Sequence, residues 1–106
     1  MRTIFIFDAA GDFAENKDTA RKLRTEVIEP ELKSGGRVTL DFDKVTSATQ
    51  SFVHAFISEV IRNFGIDVLD KILFKRCNKK VSTIINIVVE YVQDGMFADP
   101  GETAEI

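Results

Sequence analysis

The sequence predicts a small α/β domain: a mostly parallel sheet of about four strands, with three helices over residues 18–33, 52–64 and 79–94. Three observations predict it. Short runs rich in β-branched and aromatic residues alternate with segments whose apolar residues recur at helical spacing, an order that right-handed crossovers turn into a parallel sheet. The 106-residue length suits one compact domain and no second, and a chain of this size buries roughly two-thirds of its unfolded surface on folding. Residues 52–64 carry one broad apolar stripe, the clearest helix in the chain.

The elements follow in order. Thr3-Ile4-Phe5-Ile6-Phe7 is a continuous apolar run ending at Asp8, the pattern of a strand covered on both faces. Residues 8–17 hold Gly11 and several turn formers and read as a loop or short irregular strand anchored by Phe13. Asn16 or Asp18 then caps a helix with Ala20, Leu23, Val27 and Leu32 near helical spacing, whose last turn is bent or restarted by Pro30. Ser34-Gly35-Gly36 stops it, because glycine accepts the left-handed conformation common just past a helix end. Arg37-Val38-Thr39-Leu40-Asp41-Phe42 reads as the second strand and residues 43–51 as a polar loop. In the next helix Phe52, Val53, Phe56, Ile57, Val60, Ile61 and Phe64 form the stripe opposite Ser58, Glu59, Arg62 and Asn63, and Gly65 ends it. Lys71-Ile72-Leu73-Phe74-Lys75 is a third strand. Asn78 caps a last helix in which Val81, Ile84, Ile85, Val88 and Val92 keep helical spacing despite strong β composition.

Composition excludes several classes of function. One cysteine makes no internal disulfide and no Cys-based zinc site. The apolar run at the start is too short for a signal peptide or a membrane span, so a cytoplasmic protein is expected. The net charge is −3, but residues 94–106 hold Asp94, Asp99, Glu102 and Glu105 with no Lys or Arg. Residues 1–93 therefore carry 14 basic against 13 acidic residues, a net of +1. The organisation this predicts is a domain over 1–93 and an acidic, disordered tail over 94–106. With a pI of about 5.1 and no basic stripe, nucleic acid is not the expected partner. Lys75, Arg76, Lys79 and Lys80 do cluster, and read as a solvated loop ahead of an anion-binding patch.

Catalytic chemistry is sparse. His54, the chain's one histidine, lies off the Phe52-Phe56 stripe and reads as a surface or rim residue rather than a general base. Cys77 follows Lys75-Arg76 and reads as a small hydrophobe before a nucleophile. No glycine-rich phosphate loop is present. Asp8, Asp41 and Asp43 follow strand ends, where a parallel sheet gathers its loops, so with Lys75 they form an alternative phosphoacceptor or small-ligand site. The competing reading of Asp41 is a side chain that hydrogen-bonds its own loop.

The loop before residues 52–64 is the most suggestive local feature. Ser51 directly precedes the stripe and is placed to cap the helix through its hydroxyl. A phosphate on Ser51 would use the same geometry, meeting first-turn N–H groups and the positive end of the helix dipole. Ser47 and Thr49 are weaker candidates of the same kind.

Ala20-Arg21, then Arg37-Val38-Thr39-Leu40-Asp41-Phe42-Asp43-Lys44-Val45-Thr46 running into Gln50-Ser51-Phe52, resemble the STAS-like domain family of unknown function over roughly residues 4–92. The strand-loop-helix unit 38–52 carries the most specific part. Such families are similar to the bacterial anti-sigma-factor antagonists, whose STAS domain binds a histidine-kinase-like ATPase and is switched by phosphorylation near the start of the corresponding helix. Antagonists present Asp-Ser-Ser/Thr-Gly in that loop. Thr49-Gln50-Ser51-Phe52 stand there in this chain, so Ser51 is the nearest hydroxyl and Gln50 replaces a common acceptor serine.

The resemblance implies a cytoplasmic regulatory module, not an enzyme and without cofactor or metal. Its expected partner is a histidine-kinase-like ATPase or an anti-sigma-type regulator, bound through the 43–51 loop and the exposed side of the 52–64 helix. The residues expected to touch it are Ser47, Thr49, Gln50, Ser51, His54 and Ser58, with Ser51 as the phosphorylation site. The alternatives are the aspartate site above and a structural subunit that self-associates as a homodimer through an edge strand.

Overall fold

A computed structural model describes residues 2–94. The expected tail beyond Asp94 lies outside the described residues. Chain order is β1 (Arg2–Phe5), α1 (Ile6–Ala10), β2 (Phe13–Ala14), α2 (Lys17–Leu23), a π-helical turn (Arg24–Ile28) and α3 (Glu29–Lys33). Then come β3 (Val38–Asp41), β4 (Ser47–Ala48), α4 (Gln50–Phe64), a 3-10 helix (Ile66–Lys71), β5 (Ile72–Lys75) and α5 (Lys79–Gln93).

The sheet differs from the four-stranded one expected. It is a three-stranded parallel sheet of order β1-β3-β5, beside a separate two-residue parallel pairing of β2 with β4. β1 is also shorter than its apolar run: Ile6 and Phe7 start α1, which Gly11 closes at φ 77°, a conformation glycine adopts without penalty. The expected helix 18–33 is continuous but changes pitch. Pro30 has no N–H, and its ring crowds the carbonyl four residues back; the turn before it widens, with Glu29 N–H bonding Arg24 C=O five residues back. Gly35 (φ 86°) ends that helix through Gly35 N–H to Leu32 O and Gly36 N–H to Glu31 O, the paired bonds of a Schellman motif.

Register explains how the sheet is covered. Ile4, Leu40 and Phe74 are side by side, as are Val38 and Ile72, on the face that meets the helices. There α4 lies between α2 and α5, and Phe52, Val53, Phe56, Ile57, Val60 and Ile61 join Val81, Ile85, Val88 and Val92 in one core. Phe52 and Phe56 meet edge to face at 5.0 Å. The other face carries Thr3-Thr39-Leu73 and Phe5-Asp41-Lys75. It is open rather than covered, with Phe5 50% and Leu73 53% exposed while Thr39 and Asp41 of the central strand stay buried between them. No helix among the described residues is long and apolar enough to cross a membrane.

Candidate functional site

The carboxyl end of β3 carries Asp41 and Asp43, and the fold engages both with Arg76, which follows β5. Asp41 is 2% exposed. Its Oδ1 accepts the Asp43 N–H at 2.9 Å, and its Oδ2 lies 3.7 Å from Arg76 Nε. Arg76 Nη1 also reaches Asp43 Oδ2 at 3.5 Å, so one guanidinium clamps both carboxylates across neighbouring strand ends. Arg76 holds φ 56° and Lys44 φ 69°, left-handed conformations uncommon outside glycine. Lys44 places its ammonium 5.8 Å from the Phe7 ring centroid. Asp8 is exposed on α1 and Lys75 is exposed on β5. Among the described residues no group of three His, Cys, Asp or Glu is arranged to hold a metal ion. Next to Arg76, burial first and the Asp41 carboxylate second push the Cys77 thiol above its ordinary value.

The β4–α4 unit is built by backbone pairing and one bridging side chain. Thr46 N–H and Oγ1–H both donate to Asp12 O, at 2.8 and 3.0 Å, and Thr49 N–H donates to Ala14 O at 2.9 Å. Asn78 caps α5, its Oδ1 accepting the Val81 N–H at 2.9 Å. Its side-chain NH2 donates to Thr46 O at 3.0 Å and Val45 O at 3.3 Å. The residue that starts α5 therefore also fixes the loop leading into β4.

Several expected site residues sit differently. Thr49, not Ser51, caps α4: its backbone is extended and its Oγ1 accepts the Phe52 N–H at 3.1 Å. The helix starts at Gln50 because Thr49 is pinned in extended form by its bond to Ala14. Ser51 is in the first turn, half-buried beside Gln50, and that turn holds no acidic residue. His54 is 7% exposed and meets the Tyr91 ring at 6.4 Å, and buried Ser58 donates its hydroxyl to His54 O at 2.8 Å. Both face the packed interior rather than an outer surface. With α2 on one flank and α5 on the other, His54 and Ser58 are covered, so of the expected contact residues the partly accessible ones are Ser47, Thr49, Gln50 and Ser51.

On the α5 side of β4 runs an open groove of about 600 Å³, lined by Ser47, Ala48, Lys79, Lys80, Thr83 and Ile84. Asn78 reads from sequence as a cap, but nothing in the sequence shows that it ties α5 to β4. The α5 half of this groove was therefore not anticipated.

A family model for the STAS-like domain of unknown function matches residues 19–82, more than half of the chain. The protein belongs to that family. The match is narrower than the 4–92 suggested by pattern, running from Thr19 on α2 to Ser82 on α5. It thus takes in β3, β4, α4, β5 and the bridging Asn78 of this STAS-like domain. No curated protein and no solved structure matched the chain.

Proposed function

We propose that this STAS-like domain is a regulatory module that binds another protein through β4, the start of α4 and the first turn of α5. Its partner is a histidine-kinase-like ATPase or an anti-sigma-type regulator, and Ser51 is the switch. The observation that carries the reading is the division of labour at the start of α4. Thr49 takes the cap, so Ser51 sits one step inside a helix end that has no acidic residue. Phosphate there would add about −1.5 to −2 charge where the dipole favours it, next to β4. The aspartate alternative loses support because Arg76 occupies Asp41 and Asp43.

Affinity capture from the host with the tagged full-length chain tests the proposal. Wild type is expected to recover such an ATPase or regulator, and Ser51→Glu and Gln50→Arg to lose it. Incubation with the captured ATPase and ATP should give phosphoserine at position 51. Capture unaffected by both substitutions, with no phosphate at Ser51, would overturn the reading.

A further inference from the structure

We propose that the groove between β4 and α5 seats an acidic, amphipathic segment of the partner protein, an inference that rests on the partner-binding reading above and specifies its chemistry. The floor is apolar and small, with Ala48 from β4 and Ile84 from α5 flanked by the hydroxyls of Ser47 and Thr83. The rim is cationic, with exposed Lys79 and Lys80, and the lining contains no carboxylate.

The placement of the two lysines is what points outward. They occupy the first turn of α5, where the unpaired N–H groups of a helix favour negative charge and disfavour positive charge, and that turn contains no acid. Arg21, Arg62 and Arg76 each have a carboxylate within reach. Neither Lys79 nor Lys80 has one among the described residues. Two cations at the wrong end of a helix dipole, without a carboxylate partner among the described residues, stand on the edge of an apolar groove. The first turn of α4, which opens beside β4, also lacks an acid. A partner with carboxylates beside apolar side chains satisfies both parts of the surface: the acids meet the lysines and helix ends, and the apolar groups cover Ala48 and Ile84. A nucleic acid would meet only the cations, and two lysines on a body of net charge +1 are a weak electrostatic footprint.

Amide NMR on the full-length chain tests this with three probes. One is a synthetic helical peptide of about 15 residues with leucines along one face flanked by glutamates; the others are its twin with glutamine for glutamate, and a single-stranded oligothymidylate. The glutamate peptide is expected to shift Ser47, Ala48, Lys79, Lys80, Thr83 and Ile84. Binding should weaken about tenfold or more for the glutamine twin and for the Lys79→Gln/Lys80→Gln variant. That variant should melt no lower than wild type, since it relieves the helix end, so weaker binding is not a folding defect. Equal binding of the glutamine twin or the oligothymidylate, shifts centred on Phe5 and Leu73, or concentration-dependent groove shifts without peptide would overturn the inference. Host capture that depends on Ser51, with no groove response, would overturn this inference alone. A groove response without any host capture would overturn only the regulatory reading.

Discussion

Replacing Thr49 with alanine removes the side chain that closes the start of α4. Its hydroxyl oxygen accepts one bond, from the Phe52 N–H at 3.1 Å in a part-buried setting. Loss of such a cap costs about 0.5–2 kcal/mol. The upper half of that range is expected because fraying the first turn exposes Phe52, which is fully buried. At about 4–8 °C per kcal/mol for a domain of this size, the melting temperature should fall by roughly 5–16 °C. Ser51→Ala, one step inside the helix and not its cap, should cost less than Thr49→Ala. Thr49→Ser should retain most of the cap. Ser51→Asp should be neutral or stabilising by about 0.3–1 kcal/mol, since the new carboxylate lies at the positive end of the dipole. Thermal and urea unfolding followed by circular dichroism give all four values. If Ser51→Ala costs as much as Thr49→Ala, or Thr49→Ser fails to recover stability, Ser51 is the structural cap and the argument for it as a switch fails.

Other consequences follow from the same structure. Arg76→Ala leaves buried Asp41 with only the Asp43 amide and should cost about 1–2 kcal/mol, the half-exposed guanidinium limiting the loss. Arg76→Gly should be about 1 kcal/mol more stable than Arg76→Ala, because it relieves a left-handed backbone at φ 56°; urea unfolding of the two variants gives the order. Cys77, its thiol raised by burial and then by Asp41, should react with iodoacetamide at pH 8 more slowly than a free thiol, and Asp41→Asn should speed the reaction. Because the folded chain holds that proton longer than the unfolded chain, the Cys77 contribution to stability is intact below the unfolded thiol value and is lost as pH rises through the folded one. Cys77→Ala should flatten that alkaline decline in a pH series of melts. Phe52→Ala deletes a buried ring packed edge to face on Phe56 and should cost about 3–5 kcal/mol in urea unfolding.

Periodicity made the long helices legible. The 52–64 stripe appears as Gln50–Phe64, and the final helix runs Lys79–Gln93 behind the expected Asn78 cap. The parallel strands 38–41 and 72–75 also fall where β-branched runs place them. Periodicity reports which residues are apolar but not how many sides of a helix are covered. His54 and Ser58 are polar positions on α4, yet both are buried, His54 against Tyr91 of α5, because a helix between two others is buried on more than its apolar stripe. β1 departs from its pattern in the opposite direction. A continuous apolar run suggested a strand covered on both faces, but Phe5 belongs to a sheet face left open and Ile6 turns into α1. The β4–α5 groove depends on Asn78 reaching Val45 and Thr46, over thirty residues away in sequence. No local pattern encodes that contact.

The central claim is that a protein partner meets this domain along β4, from the start of α4 on one side to the first turn of α5 on the other. Amide shift mapping of the full-length chain with the ATPase or regulator recovered by host capture tests it most directly. The account predicts shifts concentrated at Ser47–Ser51 and Lys79–Ile84, weakened in the Lys79→Gln/Lys80→Gln variant. Shifts centred instead on the open sheet face around Phe5 and Leu73, with the β4–α5 groove silent, would contradict it.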